Sequence, residues 1–126
     1  MFIAYSAIVY TSGTENNNGK VISEDAKMGK LLFQEKNCIS CHQIYGMGGY
    51  MGPDLTNVIQ DPGKGANYAQ AFLLTGTEKM PDFNFSDEEI SQLIAFLEFM
   101  GTDGVYPPKN ARFTWYGTVE ENEEDE

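Results

Sequence analysis

Both cysteines and the only histidine of this chain lie within five residues, Cys38-Ile39-Ser40-Cys41-His42. Two thiols three positions apart on one turn can each add to a vinyl group of a single haem. The histidine directly after the second thiol then faces the iron. Ring, iron and peptide become one covalent unit. Three other readings use part of the pattern. A thioredoxin-like dithiol wants a βαβ setting, which the sequence does not show. A structural zinc site wants four ligands, and the chain has no cysteine or histidine beyond these three. Chance spacing is the third. Covalent haem is favoured because a second axial ligand can also be found.

A six-coordinate haem needs a group on its opposite face. The single histidine is used, so bis-histidine ligation is excluded, and lysine and methionine remain. There are six methionines. Met1 is terminal, Met28 and Met100 fall in predicted helices, and Met47 and Met51 follow His42 in a loop that should wrap the histidine side. Met80 precedes Pro81, which disfavours helix at the residue before it. An extended segment there can lie across the far face and present a thioether, although a methionine that merely fills the core is the plainer alternative. In Gly52-Pro53-Asp54-Leu55, the Pro53 carbonyl is free to accept the Nδ1 proton of His42 and fix the ring. A simple turn is the alternative there.

The elements that must position these groups are helical. Ser23 is a suitable N-cap for a helix over 23–36, with Glu24 and Asp25 in the first turn, where the dipole favours them. Gly29 sits inside that helix at some cost in propensity, which a close helix crossing would explain, with Phe33 one turn on. Residues 43–65 are Gly-rich, aperiodic and read as loop. "ANYAQAFLLTG" predicts a short helix ending near Gly76. Ser86 and Glu89 form a capping box, Phe85 can staple onto Ile90, and Ile90, Leu93, Ile94 and Leu97 recur at helical spacing until Gly101. No β-pattern stands out, so the expected fold class is all-α.

The chain has 126 residues and a formal charge of −11. Six of its 19 acids lie in the last seven residues, which leaves 13 acids against 8 bases elsewhere. There is no basic stripe, so nucleic acid is not an expected partner. Residues 1–22 comprise an apolar stretch and a polar linker. "MFIAYSAIVY" is too short to span a bilayer, and reads either as the outer end of a membrane helix or as a short core strand or buried arm. Residues 23–101 form the main domain. Residues 102–119 read as an irregular arm that carries Arg112, Phe113, Trp115 and Tyr116, with "YPPK" extended, and 120–126 as an acidic tail.

Taken together, Gly29/Phe33, Cys38-x-x-Cys41-His42, Gly52-Pro53-x-Leu55, Met80-Pro81 and the closing helix with Phe96 and Phe99 resemble the class I c-type cytochromes over 24–101. That resemblance implies three to four helices around one covalently bound haem c, one-electron transfer, and haem attachment outside the cytoplasmic membrane. Cys38, Cys41, His42, Pro53 and Met80 match the family's haem-binding positions. "CISCHQIYGMGGYMGPDLTNV" and "MPDFNFSDEEISQLIAFLEFM", followed by "YPP", are similar to the small cytochrome c subunit of bacterial nitric oxide reductase. The narrower likeness implies a membrane-associated periplasmic domain. It implies a soluble cytochrome or cupredoxin as donor, and haem b of a large catalytic subunit as acceptor. It further implies that the Gly46-x-Gly48-x-Tyr50 loop faces that subunit, with Gly48 and Tyr50 touching a calcium at the junction. A free periplasmic shuttle is the alternative function, and a gas sensor with a displaceable methionine is a third.

Overall fold

A computed structural model describes residues 1–12, 20–107 and 111–121, without the side chains of residue 12 and of residues 111–113 and 119–121. Most of the predicted linker, Pro108, Lys109 and Asn110 of the arm, and the last five residues of the acidic tail lie outside the described residues.

The first element is α1, Phe2–Ser12, a helix whose large apolar side chains stand in solvent, Phe2 at 82 % and Tyr10 at 81 %. The strand or buried-arm alternative is therefore corrected: the stretch is helical, and nothing among the described residues buries its large apolar side chains. Among the described residues no helix is long and apolar enough to cross a membrane.

Helix α2, Glu24–Glu35, starts where its cap chemistry says it should. The Ser23 side chain accepts a hydrogen bond from the Ala26 N–H, and Glu24 and Asp25 occupy the first turn. It ends as Asn37 takes a left-handed conformation, φ 54°. Helix α3 is Gly65–Thr75, and helix α4 is Asp87–Thr102. The buried residues of α2 are Ala26, Gly29 and Phe33, one side of the helix at 3–4 spacing. Phe33 shares one core cluster with Leu93, Phe96 and Leu97 of α4, and the rings of Phe33 and Phe96 lie 5.4 Å apart. The crossing is close because Gly29 has no side chain. A Cβ there would strike the Gln92 carbonyl and lie 2.9 Å from Phe96 Cβ. Ile44 and Val58 complete the core from the loop side.

Two short antiparallel ribbons depart from the expected loop and irregular arm. β1 (Gln43–Ile44) pairs with β2 (Met47–Gly48) directly after the cysteine motif. β3 (Ala111–Phe113) pairs with β4 (Val119–Glu121), so the aromatic arm is a hairpin and its second strand takes in the start of the predicted acidic tail. Thr114 and Thr118 close the turn between them through paired backbone and hydroxyl bonds. That turn leaves Trp115 94 % exposed, edge-on to Tyr116. Strands of two or three residues are too short to show a period of two, which is why the sequence does not announce them.

The capping box of α4 is complete: the Ser86 side chain takes the Glu89 N–H while the Glu89 carboxylate takes the Ser86 N–H. Substituting Ser86→Ala should cost about 1 kcal/mol of unfolding free energy at neutral pH, measured by urea titration. Backbone and hydroxyl bonds from Ser86 hold the Glu89 carboxyl below its ordinary value. A lowered native value means the contribution is present above the ordinary carboxylate range and is lost as the pH falls through the lowered one. Glu89→Gln should flatten that part of the acid limb.

Candidate haem site

The cysteine motif is built on the turn that leaves α2. Cys38–Ser40 form one 3-10 turn, in which the Cys38 carbonyl accepts from both the Cys41 and His42 N–H groups, at 3.2 and 2.9 Å. This places both thiols and the imidazole on one compact loop. The thiols are half-buried and not joined to each other. Burial pushes the Cys38 thiol up, only partly offset by a backbone hydrogen bond, and the neighbouring Cys41 adds to the rise. A redox dithiol needs the opposite, a stabilised thiolate. Among the described residues no group of three or more His, Cys, Asp and Glu side chains is arranged to hold a metal ion.

His42 is fixed from the far side of the loop. Its Nδ1 lies 2.9 Å from the Pro53 carbonyl oxygen. A carbonyl can only accept, so Nδ1 carries the proton, and in the neutral ring Nε2 is then the nitrogen with a lone pair for a metal. The ring also needs Gly52. A Cβ there would lie 2.5 Å from Nδ1 and 3.0 Å from Nε2, inside the ring's own space. Two backbone bonds strap this loop to the motif: Gly49 N–H to the Ile39 carbonyl at 2.9 Å, and Gly52 N–H to the Cys41 carbonyl at 2.7 Å. The donor set therefore fits a haem attached through two sulfurs and ligated by one imidazole. The cradle that only glycine allows at position 52 sets the angle of that imidazole.

A polar network that the sequence does not advertise holds the frame around the ring. Asp54 accepts the Gly46 and Thr56 N–H groups, both at 2.8 Å. Burial pushes its carboxyl up, but the bonds from the Thr56 side chain and from the Thr56 and Gly46 N–H groups outweigh burial and hold it below its ordinary value. Thr56, with no exposed surface, accepts the Tyr45 N–H at 2.6 Å. Tyr45 has φ 51°, uncommon for a bulky residue. Its hydroxyl donates to the Met100 carbonyl at 2.6 Å, and burial with the nearby Asp103 charge raises its pKa, which keeps it a donor. Asn57 donates to the Gly101 and Gly104 carbonyls and accepts the Tyr106 N–H. The loop of 43–61 is thus tied to the last turn of α4.

Met80 lies on the connection between α3 and α4, part-exposed, and in place of the expected extended segment it closes a turn with Thr77. The Thr77 N–H donates to the Met80 carbonyl at 2.8 Å, and the Met80 N–H donates to the Thr77 hydroxyl at 3.0 Å. A threonine three residues before the methionine is a local signal that could have been read. Met47 and Met51, the other loop methionines, are 69 % and 68 % exposed. Gly48 and Tyr50 are exposed on the same loop, Tyr50 at 88 %.

Residues 24–97 match the family described as cytochrome c oxidase, cbb3-type, subunit III. The C subunit of nitric oxide reductase from Halomonas halodenitrificans is 34 % identical over 124 residues, covering 86 % of this chain and 80 % of that protein. This chain belongs to the cytochrome c family of the nitric oxide reductase C subunits. The C subunit from Stutzerimonas stutzeri is 29 % identical, over 78 % of this chain and 75 % of its own length. That from Cereibacter sphaeroides is 29 % identical over 71 % of each. Cytochrome c membership implies a covalently bound haem c and electron transport through it. The helical architecture read from the caps and the Gly29 crossing agrees with the class I cytochrome c fold.

Proposed function

We propose that this chain is the electron-entry subunit of a membrane-bound nitric oxide reductase. A haem bound here supplies a one-electron couple at its iron. Cys38 and Cys41 would hold it through their sulfurs, and His42 would ligate through Nε2 while its Nδ1 bonds the Pro53 carbonyl. Met80, held in the Thr77 turn, would supply a thioether ligand to the iron. A thioether ligand favours the ferrous state and raises the potential. With His42 and Met80 both committed to the group, this chain would offer no place for substrate, and reduction of nitric oxide belongs to the partner. The donor is a soluble periplasmic cytochrome or cupredoxin, and the acceptor is haem b of the large catalytic protein. The exposed Gly48–Tyr50 loop faces that protein and lends oxygens to a calcium at the junction. The chain works on the periplasmic side of the cytoplasmic membrane, in association with its catalytic partner.

The observation that carries this reading is His42, with its Nδ1 committed to Pro53 beside two unpaired thiols, in a chain similar to the reductase subunits over most of its length. Co-purification tests it. A tagged chain should bring down a haem b membrane protein that reduces nitric oxide, and isolation as a lone soluble cytochrome would favour a free shuttle. Met80→Ala should keep the covalent haem by mass but lose the near-infrared sulfur-to-iron band. Its potential should fall by on the order of 0.1 V or more, within the range that axial ligands command. Rapid carbon monoxide binding by the unaltered ferrous protein would instead support a gas sensor.

A further inference from the structure

The Pro53 carbonyl orients His42, but a carbonyl in a loop between glycine and aspartate has no fixed position of its own. The next residue gives it one. The two carboxylate oxygens of Asp54 accept different N–H groups, Oδ2 that of Gly46 and Oδ1 that of Thr56, each at 2.8 Å. One belongs to the tight turn of the β1–β2 ribbon, the other to the chain returning from the Gly-Pro loop. The same two stretches meet again where the Leu55 N–H donates to the Gln43 carbonyl at 2.8 Å, beside the Gln43–Asp54 bridge. Thr56 adds a third tie through its bond with Tyr45. The segment just after Pro53 and the segment just after His42 are thereby joined through one carboxylate and one fully buried hydroxyl. Bonds from N–H to an ionised carboxylate are stronger than neutral ones.

We propose that Asp54 is a positioning residue for His42: by clamping Gly46 to Thr56 it holds the Pro53 carbonyl on Nδ1 and so sets the angle and donor strength of the imidazole. The proposal rests on the reading of His42 as an axial ligand. A firm Nδ1–H to carbonyl bond makes an imidazole a better electron donor, which favours the ferric state. Loosening it moves the potential in the positive direction.

The test uses the full haem-loaded chain with Asp54→Ala, Asp54→Asn and, as a control away from the site, Ser86→Ala. Three quantities are read: hydrogen exchange of the Gly46 and Thr56 amides, exchange of the His42 Nδ1 proton, and the reduction potential. Asp54→Ala should speed Nδ1 exchange about tenfold or more, the factor expected on losing a charge-assisted hydrogen bond. It should also shift the potential positively. Asp54→Asn keeps one acceptor oxygen and should fall between wild type and alanine. Should the alanine variant fail to fold, the asparagine variant carries the same comparison. Ser86→Ala should lower stability yet leave both His42 readouts unchanged, which separates positioning from general loosening. If the Gly46 and Thr56 amides exchange faster while Nδ1 exchange and potential stay at wild-type values, Asp54 is only a loop staple and the proposal is overturned. A wild-type chain without covalent haem would overturn the electron-transfer reading instead, and the amide and Nδ1 exchange would still decide the clamp.

Discussion

Gly29→Ala lowers the unfolding free energy by about 2 kcal/mol, although alanine is the better helix former by about 1 kcal/mol. The new methyl group meets the Gln92 carbonyl and Phe96 Cβ, backbone and near-backbone atoms that cannot rotate away. Helices α2 and α4 must separate, and the separation reaches Phe33, Leu93 and Phe96 at once. Overpacking of this kind costs about 1–3 kcal/mol, and more where backbone has to move. The melting temperature should drop by roughly 10 °C. An alanine variant as stable as wild type would mean that the crossing is looser than Gly29 implies.

Gly52→Val acts on the site rather than on the core. Its Cβ would occupy the space of the His42 ring, so the imidazole must swing off the Pro53 carbonyl. The displaced backbone also strains the Gly52 to Cys41 bond. Two hydrogen bonds and a steric conflict together amount to about 2–4 kcal/mol against the native ring position. In the haem-loaded protein the ferric spectrum should shift from low spin towards high spin. In either form the Nδ1 proton resonance should broaden into exchange with water. Retention of a sharp Nδ1 resonance would show that the ring has room that the Gly52 cradle denies it.

What could be read in the sequence is what chemistry places locally. Ser23 and Ser86 announce the starts of α2 and α4 because a cap needs only its own first turn. Gly29 inside a helical pattern points to a close crossing because its propensity cost needs a reason. The Pro53 to His42 contact could be anticipated because proline leaves its carbonyl unrestrained and imidazole needs an acceptor. The rest depends on groups far apart in the chain. Nothing near Tyr45 says that its hydroxyl will find Met100, or that Thr56 will cap its amide. Asp54 looked like part of a turn, and its role emerges only when Gly46 folds back onto it. The hairpin of β3 and β4 went unread because alternation over three residues is no pattern at all. The Thr77 turn at Met80 was local and could have been found.

The bonds from Tyr45 and Asn57 to the end of α4 and to Gly104 just beyond it span 55, 44 and 47 positions of sequence. Closing loops of that length is entropically costly, and it cannot happen before the distant segment exists. A polypeptide cut short of residue 100 would hold every reactive side chain of the motif but lack the Met100, Gly101 and Gly104 carbonyls to which Tyr45 and Asn57 donate. The outer part of the frame around the imidazole is thus borrowed from the last third of the molecule.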